Sequence, residues 1–342
     1  MAKQRITHRG KTYRVLRTLS IGKRPYHLLK DLSDQRERYQ AFDPYAGPDG
    51  DLRAVWVFPR TSYVEKQIRL VARVSEANAN FPTILEYHPV GRRLFVVATW
   101  IRGQDLAAYL DDVRSGRFPN ARPSPGEAVR LARGLAHGVS NLNQKKNIVH
   151  GDIKPANIVL MREPSRLCLI DFGSSWFVEQ TLCARRSDGA SPAYAAPELL
   201  DQDGSLGVPD FRSDQFATMV VLYELLTLQL PYSGLGGAAG MDSRHRVAME
   251  GELVVPSRFP GIGLHGLSAN AWRKLDRLVA KGLRLDPGQR YQNRREWLRA
   301  FDQIHASLMH GDDESVLLRS FQDAMEWPWR AWREWRGRHR HQ

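Results

Sequence analysis

The spacing of apolar residues changes near residue 101, and this change narrows the folds open to the 342-residue chain. Before it, short apolar or alternating runs separated by turn-forming pieces predict β-strands. These runs are YRVLRTL, YHLLKDL, RERYQAF, LRAVWVF and, last, RRLFVVATW. Among them, SYVEKQIRLVARV has apolar residues at helical spacing, so one helix is expected within the strand-rich region.

Beyond residue 103 the apolar residues follow the period of amphipathic helices. The helical segments are GQDLAAYLDDVRSG, EAVRLARGLAHGVSNLNQK, FRSDQFATMVVLYELLT, SANAWRKLDRLVAKGL and NRREWLRAFDQIHASL. The third is apolar on almost every side, so we expect it to be buried. The segment SGLGGAAG (233–240) predicts a flexible link. The whole pattern predicts an α+β protein with a small sheet-and-helix lobe and a larger helical lobe, an arrangement whose cleft commonly binds a ligand.

Composition and charge narrow the functional classes. Hydrophobic residues make up 42% of the chain, which argues against global disorder. The two cysteines, Cys168 and Cys183, exclude a disulfide framework and a cysteine-based metal cluster. No apolar signal region opens the chain, and its longest apolar stretch contains Glu224 and is too short to span a bilayer, so we expect a cytoplasmic protein. The net charge of +13 suits an acidic partner, a polyanionic ligand or a membrane surface, although a generally arginine-rich proteome accounts for it equally well.

The segment IVHGDIKPANIVL (148–160) places three polar residues in one loop between apolar runs: Asp152, Lys154 and Asn157. A second short run, RLCLI, leads into Asp171, so two strands should bring Asp152 and Asp171 to the same end of a hairpin. Asn157 and Asp171 offer the hard oxygen atoms that Mg²⁺ prefers. Asp152 can then orient a hydroxyl or accept its proton, and Lys154 can balance charge on a transferring phosphoryl group.

The motifs HGDIKPAN, DFG (171–173) and APE (196–198), in this order and spacing, resemble those of the protein kinase superfamily. The resemblance covers roughly residues 11–308 and implies a bilobal kinase fold with an N-lobe at 11–101 and a C-lobe at 102–308. It implies that Asp152 and Lys154 are catalytic and that Asn157 and Asp171 bind Mg²⁺. ATP would be the phosphoryl donor and a protein hydroxyl the acceptor. Lys154 resembles serine/threonine rather than tyrosine kinases.

The same resemblance assigns supporting roles to five further residues. It implies packing for His150, a permissive backbone turn for Gly173, and bracing of the catalytic loop by Asp214. It also implies an ion pair between Glu198 and Arg290. One departure lies here, because Gly151 replaces the arginine that usually precedes the catalytic aspartate, so regulation by a phosphorylated activation loop is less expected.

The sharpest departures lie in the small lobe. Aligning RAVWVF with the family pattern puts Trp56 at the lysine that pairs with the α- and β-phosphates, and puts Gln67 at that lysine's glutamate partner, with Glu65 as the alternative. The segment TLSIGKRPYHLL (18–29) stands at the glycine-rich loop but offers only Gly22, and a plain hairpin turn is the alternative reading. Some kinases supply the missing charge from a neighbouring strand or from this loop, and the candidates are Lys23, in the loop itself, and Lys30.

The segment VVATWIRG (96–103) resembles the kinase connector that binds adenine. Ala98 would be the gatekeeper, while Thr99, Trp100 and Ile101 would offer backbone groups to the base. The alternative is an ordinary buried strand in which Ala98 fits beside a large neighbour.

The C-terminal segment 309–342 forms a separate tail in which Trp and Arg alternate, as in MEWPWRAWREWRGRHRHQ. It could pack on the large lobe, dock on a membrane or an acidic partner, or bind nucleic acid, which is the least favoured. A peripheral membrane location is therefore a second expectation. The favoured function is a Mg²⁺- and ATP-dependent serine/threonine protein kinase acting on a protein substrate, and the alternative is a pseudokinase that serves as a regulatory scaffold.

Overall fold

A computed structural model describes residues 4–33, 37–117, 122–144, 148–171, 176–177, 191–201, 204–260, 262 and 267–309. The chain divides into two compact units, Met1–Arg102 and Gly103–Gln342. The first unit is rich in strands and the second in helices, which confirms the predicted α+β class. No helix within the described ranges combines the length and the apolar character needed to cross a membrane.

The described residues of the first unit form eight strands and one helix. They are β1 (Arg5–His8), β2 (Lys11–Arg14), β3 (Arg17–Ile21), β4 (Arg24–Asp31), β5 (Arg38–Asp43), β6 (Asp51–Pro59), α1 (Ser62–Glu76), β7 (Ile84–Val90) and β8 (Arg93–Thr99). Strands β1 and β2 form a separate hairpin, and the others form one antiparallel sheet in the order β3-β4-β5-β6-β8-β7. The predicted run YRVLRTL is divided between β2 and β3. Strand β7 was not predicted, because its residues 85–90 alternate too weakly to be recognised.

Alternation along β6 gives the sheet two distinct faces. Val55 joins a buried cluster with Leu28, Val97 and other apolar side chains. Ala54 and Trp56 point to the opposite face, since successive side chains of a strand alternate. Both are buried. The sheet therefore has an apolar core on one side and a second buried surface, containing Trp56, on the other.

Helix α1 begins where the sequence predicts. The side chain of Thr61 caps it by accepting a hydrogen bond from the Val64 amide at 3.1 Å. Its buried positions include Ile68, Val71 and Val74, as the helical spacing requires. Gln67 is also buried on this helix.

The second unit contains the remaining elements. They are β9 (Gln104–Asp105), α2 (Leu106–Arg114), α3 (Pro125–Gln144), β10 (Ile148–Val149), β11 (Ile158–Arg162), β12 (Ser165–Leu169), β13 (Trp176–Phe177), α4 (Pro197–Leu200), α5 (Phe211–Thr227), α6 (Arg246–Gly251), α7 (Ala269–Gly282) and α8 (Arg294–Met309). Helix α5 is buried along its length from Ser213 to Thr227, which confirms the reading of its apolar sequence. Helix α3 packs against both α5 and α8.

The segment predicted as a flexible link is ordered, so that prediction was wrong. Residues Gly236–Gly240 form a 3₁₀ turn, and the Gly237 amide donates a hydrogen bond to the Ala193 carbonyl at 3.1 Å. A Cβ atom on Gly237 would lie 1.7 Å from the Ala195 carbonyl oxygen. Glycine is present here because another backbone approaches closely, and not because the segment needs freedom.

Candidate active site

Asp214, in the first turn of α5, binds the backbone at the start of the polar loop of residues 150–157. One carboxylate oxygen accepts a hydrogen bond from the His150 amide at 2.8 Å, and the other accepts one from the Gly151 amide at 2.9 Å. The side chain of Asn143, on α3, donates to the same carboxylate at 2.8 Å. Complete burial raises the pKa of Asp214, while these donors favour its ionised form. The predicted bracing role therefore has a direct geometric basis.

Gly151 has a φ of +75°, a left-handed conformation that side-chain-bearing residues adopt only with strain. Glycine adopts this conformation without the strain that a Cβ atom would add. His150 is fully buried, in agreement with a packing role.

Asp152 lies at the centre of the loop and both of its oxygens are paired. The Lys154 ammonium lies 2.9 Å from one oxygen. The Asn157 amide nitrogen donates to the other at 2.8 Å and to the Asp152 carbonyl at 2.8 Å. Asp152 and Asn157 are buried, so the three side chains form a fixed polar cluster in a region of low solvent access.

The hairpin of β11 and β12 brings Asp171 to the same place. Ile158 pairs with Leu169, and the Ile170 amide donates to the Asn157 carbonyl at 2.8 Å. Asp171 therefore follows directly after the residue that pairs with Asn157, and it is buried. The sequence prediction that two strands deliver the two aspartates to one hairpin end agrees with this register.

The donor set at this hairpin end fits a magnesium ion. Asn157 uses its amide nitrogen toward Asp152, so its Oδ1 is the atom that could bind a metal, beside the Asp171 carboxylate. Among the described residues there is no group of three or more His, Cys, Asp or Glu that could hold a metal. Mg²⁺ does not need such a group, since it commonly binds one or two carboxylates and keeps several waters.

Glu198 and Arg290 form the expected ion pair. Both nitrogens at the end of Arg290 donate to the Glu198 carboxylate, at 2.7 and 2.8 Å, and both side chains are buried. Ser213 also donates to this carboxylate at 2.8 Å. Arg290 satisfies its remaining donors on backbone carbonyls, including that of Arg284. The pair fastens the start of α4 to the segment before α8.

Another buried carboxylate, Glu224 on α5, was noted in the sequence only as an interruption of an apolar run. It accepts a hydrogen bond from the Tyr194 hydroxyl at 2.8 Å and forms an ion pair with Arg114. Burial and the nearby carboxylate raise the pKa of Tyr194. The sequence did contain a signal for these contacts, because a lone carboxylate inside a buried helix needs hydrogen-bonding or charged partners. Only the tertiary structure shows that Tyr194, just before the APE motif, is one of them.

In the first unit, Trp56 is buried with 6% of its surface exposed, and its neighbours in the sheet are Arg38 on β5 and Val96 on β8. Gln67, the predicted counterpart of the missing glutamate, is 7% exposed. The two positions predicted to replace the usual charged pair therefore hold buried neutral residues. A lone buried charge at either position would be costly.

Gly22 and Lys23 lie in a two-residue turn between β3 and β4, where Ile21 pairs with Arg24. Gly22 has a φ of +60°, and a Cβ atom there would lie 2.8 Å from the His88 ring, so this position requires glycine. Lys23 is exposed. Strand β5 separates this hairpin from β6, so Lys23 does not lie on a strand next to Trp56.

The predicted adenine-binding residues lie at the end of β8 and just after it. Ala98 is fully buried and pairs with Ala54 on β6. The Thr99 amide donates to the Thr83 carbonyl at 2.9 Å, so it is already used within the unit. Trp100 packs on the cluster of Leu29, Phe42 and Leu52. Ile101 is half-buried. Their role toward a nucleotide stays a prediction.

Two predicted features lie outside the described residues: Gly173 of the DFG motif, and the Trp/Arg tail from residue 310 onward. The roles assigned to Gly173 and to the tail stay predictions.

Comparison with known proteins identifies the family. The sequence model of the protein kinase domain matches residues 63–297. The chain belongs to the protein kinase family. This kinase-family match begins at Tyr63, after β6, so it does not include the strand that carries Trp56.

Individual kinases resemble the chain at low identity. The serine/threonine-protein kinase PknF of Mycobacterium tuberculosis is 28% identical over 246 residues, which covers 69% of this chain and 46% of that protein. The serine/threonine-protein kinase PknJ of the same species is 29% identical over 231 residues, covering 66% of this chain and 35% of that protein. Human ribosomal protein S6 kinase alpha-4 is 27% identical over 245 residues, which cover 69% of this chain and 29% of that protein. The chain therefore matches less than half the length of each of these kinases.

Proposed function

We propose that this protein is a serine/threonine protein kinase that transfers the γ-phosphoryl group of ATP to a protein hydroxyl, with an atypical nucleotide-binding lobe. The observation that carries the proposal is the cluster of Asp152, Lys154 and Asn157, with Asp171 delivered to the same hairpin end. Architecture alone requires a brace such as Asp214, but it does not require this set of charged and metal-binding side chains together.

In the proposed reaction Asp152 orients the substrate hydroxyl and accepts its proton. Asn157 and Lys154 hold this carboxylate in place, which restricts its rotation before the substrate arrives. Lys154 also places a positive charge beside the group that is transferred. Asn157 and Asp171 would hold Mg²⁺, which when bound neutralises charge on the phosphates.

The alternative is a pseudokinase that binds a partner and transfers little or no phosphate. Trp56 and Gln67 favour it, because both are buried and neither carries a positive charge for a phosphate group. In either case the family supports a protein as the substrate or regulated partner. Docking of the Trp/Arg tail on an acidic or membrane surface remains a sequence prediction.

The two functions are separated by a phosphotransfer assay with radiolabelled ATP and a generic basic protein, with and without Mg²⁺. We expect wild-type protein to transfer phosphate only with Mg²⁺, to serine or threonine. Asp171→Asn and Asp152→Asn should each lower the rate by about a hundredfold or more. Asp242→Asn, at a partly exposed loop aspartate bound by Arg244, is the matched control and should leave the rate unchanged.

Wild-type protein that binds ATP but transfers nothing would replace the enzyme proposal with the scaffold function. Transfer that survives Asp171→Asn would instead show that the metal assignment is wrong.

A further inference from the structure

Strand β5 lies directly beside the strand of Trp56 and carries a cation at the matching position. In the antiparallel register of β5 and β6, Arg38 is paired with Trp56. The Val57 amide donates to the Glu37 carbonyl at 3.0 Å, which continues this register by one residue. Directly opposite residues project from the same face of a sheet, with Cβ atoms about 4.5–5.5 Å apart. Arg38 and Trp56 therefore leave the sheet side by side.

The cross-strand row that contains Trp56 is otherwise uncharged. On the far side of Arg38, the Leu32 amide donates to the Arg38 carbonyl at 2.8 Å. On the other side, Val96 pairs with Trp56 and Tyr87 pairs with Val96. Within the part of the chain that the structure describes, Arg38 is the cation of this row.

The arginine side chain is directed into the protein. Arg38 is half-buried and its terminal Nη2 atom is buried. Lys23 and Lys30, the two cations that sequence reasoning considered, are exposed. Lys30 belongs to β4, one strand further from β6 than Arg38 is. Among these three residues, only Arg38 combines adjacency to position 56 with a terminal nitrogen that is buried from solvent.

We propose that Arg38 supplies the positive charge for the nucleotide's phosphates that a lysine at position 56 would otherwise supply. The inference rests on the proposed binding of ATP and names a binding residue for it. Because an arginine is longer than the tryptophan beside it and carries a planar fork of donors, it can hold two phosphate oxygens at once. The loss of lysine at position 56 is then a relocation of charge to the next strand.

Titration calorimetry with ATP and with adenosine, both without Mg²⁺, tests this assignment. Arg38→Gln should weaken ATP binding by roughly tenfold to a hundredfold, since a hydrogen bond to a charged group is lost. Adenosine, which has no phosphates, should bind both proteins equally. Arg38→Lys should recover part of the affinity for ATP. Lys30→Gln and Lys23→Gln test the two rival cations, and both variants should bind ATP as tightly as wild type if Arg38 holds the phosphates.

Each other outcome overturns a different statement. If Arg38→Gln weakens ATP and adenosine equally, Arg38 supports the fold and does not bind phosphate. If Arg38→Gln binds ATP like wild type, or if Lys30→Gln or Lys23→Gln causes the loss instead, the assignment of Arg38 is wrong while the proposed function stands. If wild-type protein binds neither ATP nor adenosine, nucleotide binding itself fails. Thermal unfolding of each variant without ligand shows whether the fold is retained.

Discussion

The large and small units differ at the positions of their predicted functional charges. In the large unit the carboxylates of Asp152, Asp214 and Glu198 are buried and each is paired with several donors. In the small unit the positions predicted for the usual lysine and glutamate hold Trp56 and Gln67, both buried and neutral. The physical reason for such a joint replacement is the cost of a single buried charge. Removing one partner alone would leave an uncompensated buried charge, which is strongly destabilising.

The largest effect is expected from breaking a buried pair of the large unit. Arg290→Met leaves Glu198 buried without its main partner, and we expect a loss of about 3–5 kcal/mol of unfolding free energy. Urea denaturation measures it. The exposed Arg299→Met on α8 is the control and should change stability little. Adding Glu198→Gln to Arg290→Met should recover part of the loss, and no recovery would contradict the charge argument.

The complementary change in the small unit is Trp56→Ala. If Trp56 serves as a core residue, its removal leaves a cavity and should lower the unfolding free energy by about 3 kcal/mol. Tyr45→Ala, at a side chain 66% exposed, is the control and should have little effect. A loss near zero for Trp56→Ala, measured by the same denaturation, would mean that the indole does not contribute to the core.

A smaller effect is expected at Gly151. An alanine there must adopt a φ of +75°, which should lower the unfolding free energy by about 1–2 kcal/mol and disturb the position of Asp152. Gly116→Ala is matched in backbone strain, since its φ is +66° and no atom lies within 4 Å of its Cβ position. Both variants should lose similar stability, but only Gly151→Ala should lose phosphotransfer. Equal activity in the two would show that loop geometry at Gly151 does not matter.

The smallest effect concerns a partly exposed ion pair that joins α3 to α8. Partial burial alone would raise the pKa of Asp302, but hydrogen bonds from Arg133 and His137 bring it below its usual value. The carboxylate therefore stabilises the fold above its unfolded pKa of about 4, and this contribution disappears as pH falls through the folded pKa.

Asp302→Asn should accordingly lower the unfolding free energy by less than about 1 kcal/mol at neutral pH and by almost nothing in strong acid. Urea denaturation at the two pH values measures the difference. Asp49→Asn, at an exposed position in the small unit, should show no such dependence. A loss that persists in acid would contradict the electrostatic explanation.

Several features of the large unit could be read from sequence because their signals are local. The buried helix α5 and the hairpin that ends at Asp171 follow from apolar runs. The pairing of Glu198 with Arg290 is not local and was predicted only from the resemblance to protein kinases. The segment 233–240 was misjudged because its signal in the sequence is only local. Glycines that allow a close backbone approach look, in sequence, like glycines of a flexible link.

The sequence by itself determined the family, the two kinds of unit and the residues of the polar loop 150–157, because periodicity and motif order are properties of short segments. Only the tertiary structure decided which residue stands beside Trp56. Sequence order suggested Lys23 and Lys30, but strand register places Arg38 there, and Arg38 is 18 positions away along the chain. Register depends on hydrogen bonds between strands and on the length of the turn that joins them. The spacing of charged residues along the sequence predicts neither.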